Sequence, residues 1–530
     1  MTITGFSNRR DLVTKLGEIK KKGDNSPVIV SLPDGQGDLE VYPASLRRGE
    51  RGGYFLAGNF NNRNALFVLG ASSLKAMARY PGRDIARFSD FVIRKCRITR
   101  SVAQQLREDF PFCAPVGRQN GNISIAFGDV LGLSCKAQML AFSGKADLIF
   151  SRQCIRQLKE LEFQPEDAMD AVTWAIFQEG YEDGFAAEAC QLSTPEELEE
   201  MLDAGFTRFS IEPAERCPFW LRDAPKHRLL EEMFDLPWIE LRDKFELMFH
   251  RYKGMRIDLP APEKPGQEPD KEPLVIAPNE QEVLAAIRIF IATIHQIVAM
   301  ENVLTARHCR DQVTLEVSFS RSKENLSAFE HFFVINELLR HDIQPDYIAP
   351  GEITREHRLV AFHNGGYGLS GPADKIRHIW KDAIAIKQHG VFPDISYITA
   401  MKCLVHINPD MFRTVWETSR NGLEEARKGK ETDVKIQYIP SAAEFSDDEL
   451  PELFQNDHTD AFLKLTKGVV MTARDEQGNR YLRQSIYDFL QKHESEYVRA
   501  LLTVYHSWAG AWERKIRKLE SDRVKKDSVS

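Results

Sequence analysis

Three features are missing from this sequence, and each absence excludes a class of protein. No stretch reaches the ~18–20 apolar residues that would span a bilayer, and Met1 to Arg10 lacks the apolar centre of a signal peptide. The 70 Lys and Arg residues are dispersed and are outnumbered by 78 Asp and Glu, so nothing favours nucleic acid or an anionic membrane as a partner. We expect a cytoplasmic protein with neither partner.

Ligand-spaced cysteines and a nucleotide loop are also missing. The eight cysteines are scattered, without a CxxC pair or another zinc-ligand spacing, and we interpret them as reduced thiols. The glycine-rich segment Gly365 to Gly368 lacks the Lys-Ser/Thr of a P-loop, so no nucleotide cofactor is expected.

What is present is an alternation of strands and helices, clearest between residues 146 and 212. Ala146 to Phe150 is typical of a buried strand. Pro165 to Tyr181 has helical periodicity and begins with a proline suited to a first turn. A second helix is predicted from Thr194, with Glu197 spaced for a capping box, and a strand from Phe206 to Ile211. This order predicts a parallel α/β sheet, in which chemistry gathers where strands end.

Several motifs in this region resemble the tagaturonate epimerase family in order and spacing. They are Phe127 to Leu133, Phe150 to Arg156, Ala171 to Trp174, Phe177 to Tyr181 and Phe209 to Pro213. The similarity extends from about Glu40 to about Trp512. It implies a metal-dependent, TIM-barrel-like enzyme that interconverts tagaturonate and fructuronate.

We therefore expect an α/β fold in three parts. A TIM-barrel-like parallel β/α barrel takes residues 111–440, after an N-terminal α/β cap at residues 1–110. A C-terminal helical segment with a frayed tail takes residues 441–530. The Pro- and Glu-rich run at residues 258–273 is an exposed linker or insertion, because prolines prevent a helix or a central strand.

Glu316 is the first candidate catalytic residue. In the strand predicted at Val313 to Phe319, Glu316 shares a face with Thr314 and Ser318, opposite the apolar residues. From alternation alone, that polar face meets either solvent or the inside of a barrel, where a carboxylate acts as acid or base. The resemblance implies the second interpretation, because the family has a catalytic glutamate at the start of its matching Glu-Val-Ser segment.

The predicted loop after Gly184 departs from the family. By resemblance, an aspartate that accepts a proton and a histidine that binds metal belong here, but this chain has Cys190 and Gln191. Cys190 is a candidate catalytic residue only as a thiolate, and glutamine is a poor ligand for a transition metal. The metal site is therefore either altered or lost, or preserved with substituted ligands.

Two histidines are candidate metal ligands by resemblance. His363 stands in a possible His-Ser-Gly motif, although Ser370 to Lys375 offers a second register in which that histidine is missing. His389 matches a family histidine. From its neighbourhood alone, His363 is equally a surface-loop residue.

The candidate substrate-binding residues are Arg152, Gln153, Gln191 and Ser396. Arg152 follows a predicted strand end, where its guanidinium could bind a uronate carboxylate or form an ion pair on a helix.

Two functions follow. The first is an epimerase or isomerase for a hexuronate-like keto sugar acid, which removes a proton and returns it on the other face, with a divalent metal possible. The second is a non-catalytic barrel that binds a sugar acid or a protein partner, because substitutions cluster at chemical positions.

Overall fold

The structure is a computed structural model and has the mixed α/β fold that the sequence predicted. It describes residues 1–6, 8–23, 26–32, 37–60, 63–117, 123–129, 131–213, 216–236, 239–260, 273–319, 325–372, 386–389, 395–428 and 467–527.

An eight-stranded, mainly antiparallel sheet forms the N-terminal part, in the order β1-β2-β3-β5-β6-β8-β7 with β4 beside β5. Helix α1 buries Leu12, Leu16 and Ile19, and β5 and β6 form an antiparallel hairpin. The strands are β1 (Thr2–Ile3), β2 (Val28–Ser31), β3 (Asp38–Val41), β4 (Arg47–Arg48), β5 (Tyr54–Asn59), β6 (Asn64–Gly70), β7 (Gly82–Arg87) and β8 (Val92–Arg97), and the helices are α1 (Arg9–Lys21), α2 (Lys75–Arg79) and α3 (Arg100–Asp109).

Eight further strands, all parallel, follow one another around a closed barrel, and the last pairs with the first. Their outward apolar residues pack against surrounding helices, so both faces of the sheet are covered. The strands are β9 (Ile123–Gly128), β10 (Asp147–Cys154), β11 (Ala186–Leu192), β12 (Arg208–Ile211), β15 (Thr314–Ser318), β16 (Tyr347–Ala349), β17 (Gly368–Pro372) and β18 (Ile386–His389), with β13 (Ile257–Leu259) and β14 (Leu274–Ile276) forming a separate antiparallel pair.

The helices around the barrel begin where their sequences predict. Pro165 opens α6, and Ser327 and Glu330 form both bonds of a capping box at α11. At α7 only half of the predicted box forms, because Glu197 accepts from Ser193 instead of Thr194. The helices are α4 (Cys135–Phe142), α5 (Ile155–Glu160), α6 (Pro165–Glu179), α7 (Pro195–Asp203), α8 (Lys226–Phe234), α9 (Ile239–Tyr252), α10 (Glu280–Ala306), α11 (Ala328–Arg340) and α12 (Arg355–His363).

Helix α10 is the most apolar element. By length and composition it resembles a membrane span, yet 72% of its most apolar window is buried inside the fold. Ile287, Phe290 and Ile294 lie in the apolar core between the barrel and its helices. We therefore describe α10 as a core helix.

The segment before β9 runs along the amino ends of three neighbouring barrel strands. The backbone N–H of Val116 donates to the carbonyl of Phe185 at 2.7 Å, and Thr314 donates its hydroxyl to the carbonyl of Gly117 at 2.6 Å. A Cβ on Gly117 would lie 1.5 Å from the carbonyl oxygen of Gln312, so only glycine allows this close approach.

The C-terminal helices pack against the first barrel strands. Tyr505 packs edge-on to Phe127 of β9. The last helix continues to Asp527. The helices are α13 (Ile395–Ile407), α14 (Pro409–Lys428), α15 (Tyr481–Lys492) and α16 (Glu494–Asp527).

Two segments of the barrel contain more strand than predicted. β10 continues past Phe150 to Cys154, with a register shift between Phe150 and Gln153. The predicted loop after Gly184 is instead strand β11. Its alanines disfavour a strand locally, and the barrel overrides that preference.

Candidate active site

A column of polar side chains lines the inside of the barrel on β12 and β15. The outward residues Phe209 and Leu315 belong to the apolar core beneath the helices. The alternate residues Ser210 and Glu316 therefore point into the barrel, where both are buried. Strands β12 and β15 are paired with Ser210 directly opposite Glu316.

Glu316 is held on both carboxylate oxygens. Ser210 donates its hydroxyl to Oε1 at 2.7 Å, and Ser370 of β17 donates to Oε2 at 2.8 Å. Only 2% of Glu316 is exposed. The two hydroxyl donors fix the orientation of the carboxylate.

A second buried carboxylate follows β12 directly. Glu212 is 8% exposed, and its Oε2 accepts the hydroxyl of Ser318 at 2.7 Å. It lies at the carboxyl end of the barrel strands, where α/β barrels place their chemistry.

The amino end of the interior holds a buried arginine. Arg208 donates to Ser124 Oγ at 3.3 Å and to the Tyr347 hydroxyl at 3.4 Å, and its guanidinium lies 5.1 Å from the centre of the Tyr347 ring. Burial raises the pKa of Asp147, and the charge of Arg208 opposes that rise. These side chains occupy the amino end of the barrel interior. We therefore place the candidate site at the carboxyl end.

Cys190 and Gln191 lie at that carboxyl end. Cys190 pairs in register with Cys154 of β10 and is 4% exposed. The Cys154 thiol contacts the side-chain oxygen of Gln191. Gln191 has a φ of 63°, a left-handed conformation that glutamine rarely adopts.

Arg152 and Gln153 lie near the carboxyl end of strand β10, where they pair in register with Gly128 of β9 and Ala189 of β11 respectively. Both residues are therefore at the carboxyl end of the barrel. Their side chains lie outside what the structure describes.

Ser396 lies at the start of α13 and is fully buried. Its carbonyl accepts the hydroxyl of Tyr497 at 3.0 Å. Asp129 accepts the backbone N–H of Ser134 at 2.7 Å. Ser396 therefore belongs to a packed junction between barrel and C-terminal helices.

The structure separates the two histidines proposed as metal ligands. His363 ends α12, five residues before β17 begins, so it lies at the amino end of the barrel, where its Nε2 contacts the carbonyl of Pro260 at 2.7 Å. His389 ends β18 at the opposite end, with its side chain outside the described residues. The expectation that His363 and His389 bind the same metal ion is therefore corrected, because the two residues lie at opposite ends of the barrel.

The described donors do not fit a metal ion. Among the side chains that the structure describes, no three His, Cys, Asp or Glu groups lie together in a way that could hold one. Ser370, by contrast, reaches Glu316 inside the barrel, which favours the register that runs through Ser370.

Sequence reasoning missed three residues of this site. Ser210, Glu212 and Arg208 all take inward positions, as does Ser318, which the alternation around Glu316 had already placed on its face. The signal was available: Arg208, Ser210 and Glu212 alternate with apolar residues in the same way as the residues around Glu316.

Comparisons with known proteins agree with this architecture. The sequence model of the tagaturonate epimerase family matches residues 42–355 and 374–506; the interval between them contains most of α12 and all of β17. The tagaturonate/fructuronate epimerase of Thermotoga maritima is 25% identical over 479 residues, which cover 86% of this chain and 93% of that protein.

Crystal structures of the fructuronate-tagaturonate epimerase of Cohnella laeviribosi share the fold. At 20% identity, one has a TM-score of 0.72 and covers 89% of this chain and 97% of its own. Another has a TM-score of 0.71 with coverage of 94% and 98%. With the family match extending over most of its length, this chain belongs to the tagaturonate epimerase family.

Proposed function

We propose that this protein is a sugar-acid epimerase that interconverts tagaturonate and fructuronate. One observation carries the proposal: the buried Glu316 carboxylate is oriented by Ser210 and Ser370 inside the barrel of a chain that belongs to this family. A carboxylate so placed serves as a general acid or base.

Glu316 is proposed as the group that exchanges a proton with the substrate. Its two hydroxyl donors hold the carboxylate in one orientation, and the ionised form is the form that accepts a proton. Return of a proton after the reacting centre has opened to its other face completes the inversion. Burial excludes competing water and strengthens each charge interaction.

The uronate carboxylate needs a cation. Arg152, beside Gln153 near the end of β10, is proposed as its partner, since a guanidinium binds a carboxylate through two parallel hydrogen bonds. Gln191 is proposed to contact substrate hydroxyls. Ser396 is a weaker candidate, because it is fully buried where α13 packs against the C-terminal helices.

Cys190 remains a proposed participant only by position. A neutral thiol is a poor base, so Glu316 is the principal group.

The proposal extends to the finer architecture. The closed ring of parallel strands supports a TIM-type barrel at residues 111–440, with the cap at residues 1–110 and the C-terminal segment at residues 441–530. A cytoplasmic location and a small sugar acid as the partner are part of the same proposal, supported by free cysteines and the family's chemistry. A divalent metal is implied by the family, but the described donors do not support it, and no proton transfer is assigned to it.

Family membership favours this enzyme function over a barrel that only binds. The test is NMR in heavy water with tagaturonate or fructuronate, with and without added nickel, manganese or zinc. We expect conversion that Glu316→Gln abolishes. Deuterium at the inverted carbon indicates proton removal from carbon, whereas conversion without deuterium indicates that a carbon–carbon bond opens and closes. Folded protein without conversion in any sample contradicts the proposal.

A further inference from the structure

We propose that Glu212 is the second proton-transfer group of this site and works in the opposite sense to Glu316. The inference rests on the proposed epimerase function and names a residue for its second half-reaction.

The two carboxylates belong to one reciprocal arrangement across β12 and β15. Ser210 of β12 donates to Glu316 of β15, and Ser318 of β15 donates to Glu212 directly after β12. Both bonds are 2.7 Å long. Each strand therefore supplies one carboxylate and the hydroxyl that orients the carboxylate of its neighbour.

Strand geometry sets the spacing of the pair. Ser210 lies opposite Glu316, and Glu212 is two residues further along. Neighbouring strands lie about 4.8 Å apart and rise about 3.3 Å per residue, so the two α-carbons are about 8 Å apart. Glutamate side chains at that spacing can reach two sides of one substrate atom.

Epimerisation needs two such groups or one that moves. The ionised Glu316 takes a proton, and the electron pair of the broken bond stays on the substrate. The protonated Glu212 then breaks its O–H bond and delivers that proton to a substrate electron pair. Glu316 ends protonated and Glu212 ionised, and proton exchange with water restores the starting forms. The reverse reaction uses the same pair with exchanged roles.

Other nearby groups fit this role less well. Glu188 of β11 pairs in register with Arg208, so it lies nearer the amino end. Cys217 is a neutral thiol, since burial raises its pKa to about 12. On the described strands beside Glu212, the ionisable side chains at inward positions are Glu188 and Cys190 of β11 and Glu316 of β15, with Arg208 earlier on β12. A neutral thiol such as that of Cys190 is a poor base.

The test compares Glu212→Gln with Glu316→Gln in the full-length protein, using tagaturonate and fructuronate and measuring kcat and KM from about pH 5 to pH 9. A proton-donor and proton-acceptor pair gives the wild type a bell-shaped profile. In the direction in which Glu316 takes the proton, we expect Glu212→Gln to lower kcat at least about 100-fold and to remove the basic limb, whereas Glu316→Gln removes the acidic limb. With the other epimer as substrate, the two limbs are exchanged. Glu199→Gln, on the exposed face of α7, is the matched control and should retain wild-type kinetics.

A second variant keeps the inference testable if Glu212→Gln fails to fold. Ser318→Ala retains the carboxylate but removes its donor, so the basic limb should move to higher pH; a purely structural serine would lower the amount of folded protein without moving it. Glu212→Gln with wild-type kcat, or Ser318→Ala with an unmoved limb, overturns the role of Glu212 and leaves the epimerase function standing. A wild type that converts neither substrate overturns both.

Discussion

The N-terminal sheet and the barrel each contain eight strands, but they place polar side chains in different surroundings. In the sheet, Arg94 of β8 and Asp84 of β7 form an ion pair at 2.8 Å with side chains 20% and 23% exposed. In the barrel, Glu316 is 2% and Ser210 3% exposed. The sheet leaves its charges near water, whereas the barrel encloses them.

This difference shows which polar residues need a functional explanation. A charge near water costs little free energy, so it needs no purpose. A carboxylate inside a closed ring has lost its hydration and is tolerated only with well-placed partners. A catalytic role is therefore the explanation for the polar side chains buried inside the barrel.

The largest effect is expected at the centre of the column. Glu316→Gln keeps the shape of the side chain and removes its ability to exchange a proton, so kcat should fall by about 10²–10⁴-fold. Steady-state kinetics measure the loss, and circular dichroism checks that the fold persists. Retention of more than about a tenth of wild-type kcat would contradict the role of Glu316.

The hydroxyl donors come next. Ser210→Ala or Ser370→Ala leaves a buried carboxylate oxygen without its donor, at a cost of about 1–3 kcal/mol. We expect kcat to fall about 10-fold or more for each, with chemical denaturation reporting any shared loss of stability. Thr173→Ala, which removes a buried hydroxyl on α6 that bonds to Met169, controls for hydroxyl loss and should leave kcat near wild type.

A buried polar group outside the barrel sharpens the comparison. His331 of α11 contacts the hydroxyl of Tyr367 at 2.7 Å, and burial, with a smaller effect from His357, holds its pKa well below the ordinary value. The unfolded chain therefore binds more protons. The neutral His331 therefore contributes fully to the free energy of unfolding above about pH 6.5. That contribution is lost as the pH falls below this value, by about 1–2 kcal/mol at pH 5.

Thermal melts of His331→Gln and of the exposed His250→Gln between pH 5 and pH 8 measure this contribution. The slope with pH should flatten only in His331→Gln. Parallel slopes in wild type and His331→Gln would show that another group causes the acid sensitivity.

The smallest effect is expected in the N-terminal sheet. Asp84→Asn weakens the half-exposed pair with Arg94 and should change the free energy of unfolding by no more than about 1 kcal/mol, without changing kcat. Urea denaturation and kinetics provide the measurement. A loss of activity would mean that the sheet and the barrel are coupled in a way their burial does not suggest.

Much of the fold could be predicted from local signals. Pro165 marks the start of α6, Ser327 and Glu330 cap α11, and the alternation around Glu316 gives the inward face of β15. These features depend on residues within a few positions of one another, which is why sequence alone reveals them. Family resemblance supplied the arrangement of the strands into a barrel.

The site was harder to predict, because it depends on which strands become neighbours. Nothing near Glu316 in the sequence indicates that Ser210 and Ser370 supply its donors, since both come from distant strands. Cys190 and Gln191 were assigned to a loop after Gly184, whereas pairing with β10 and β12 makes that segment a strand. His363 looked like a ligand until the direction of α12 placed it at the far end of the barrel.

The segment at Val116 and Gly117 crosses the amino ends of three barrel strands, and Arg208 and Tyr347 are buried at that end of the interior. Substrate and product are therefore expected to enter and leave at the carboxyl end of the described strands. Because the two epimers then compete for one site, product inhibition should be competitive with substrate. The direction of net flux is then set by the cell's removal of one epimer.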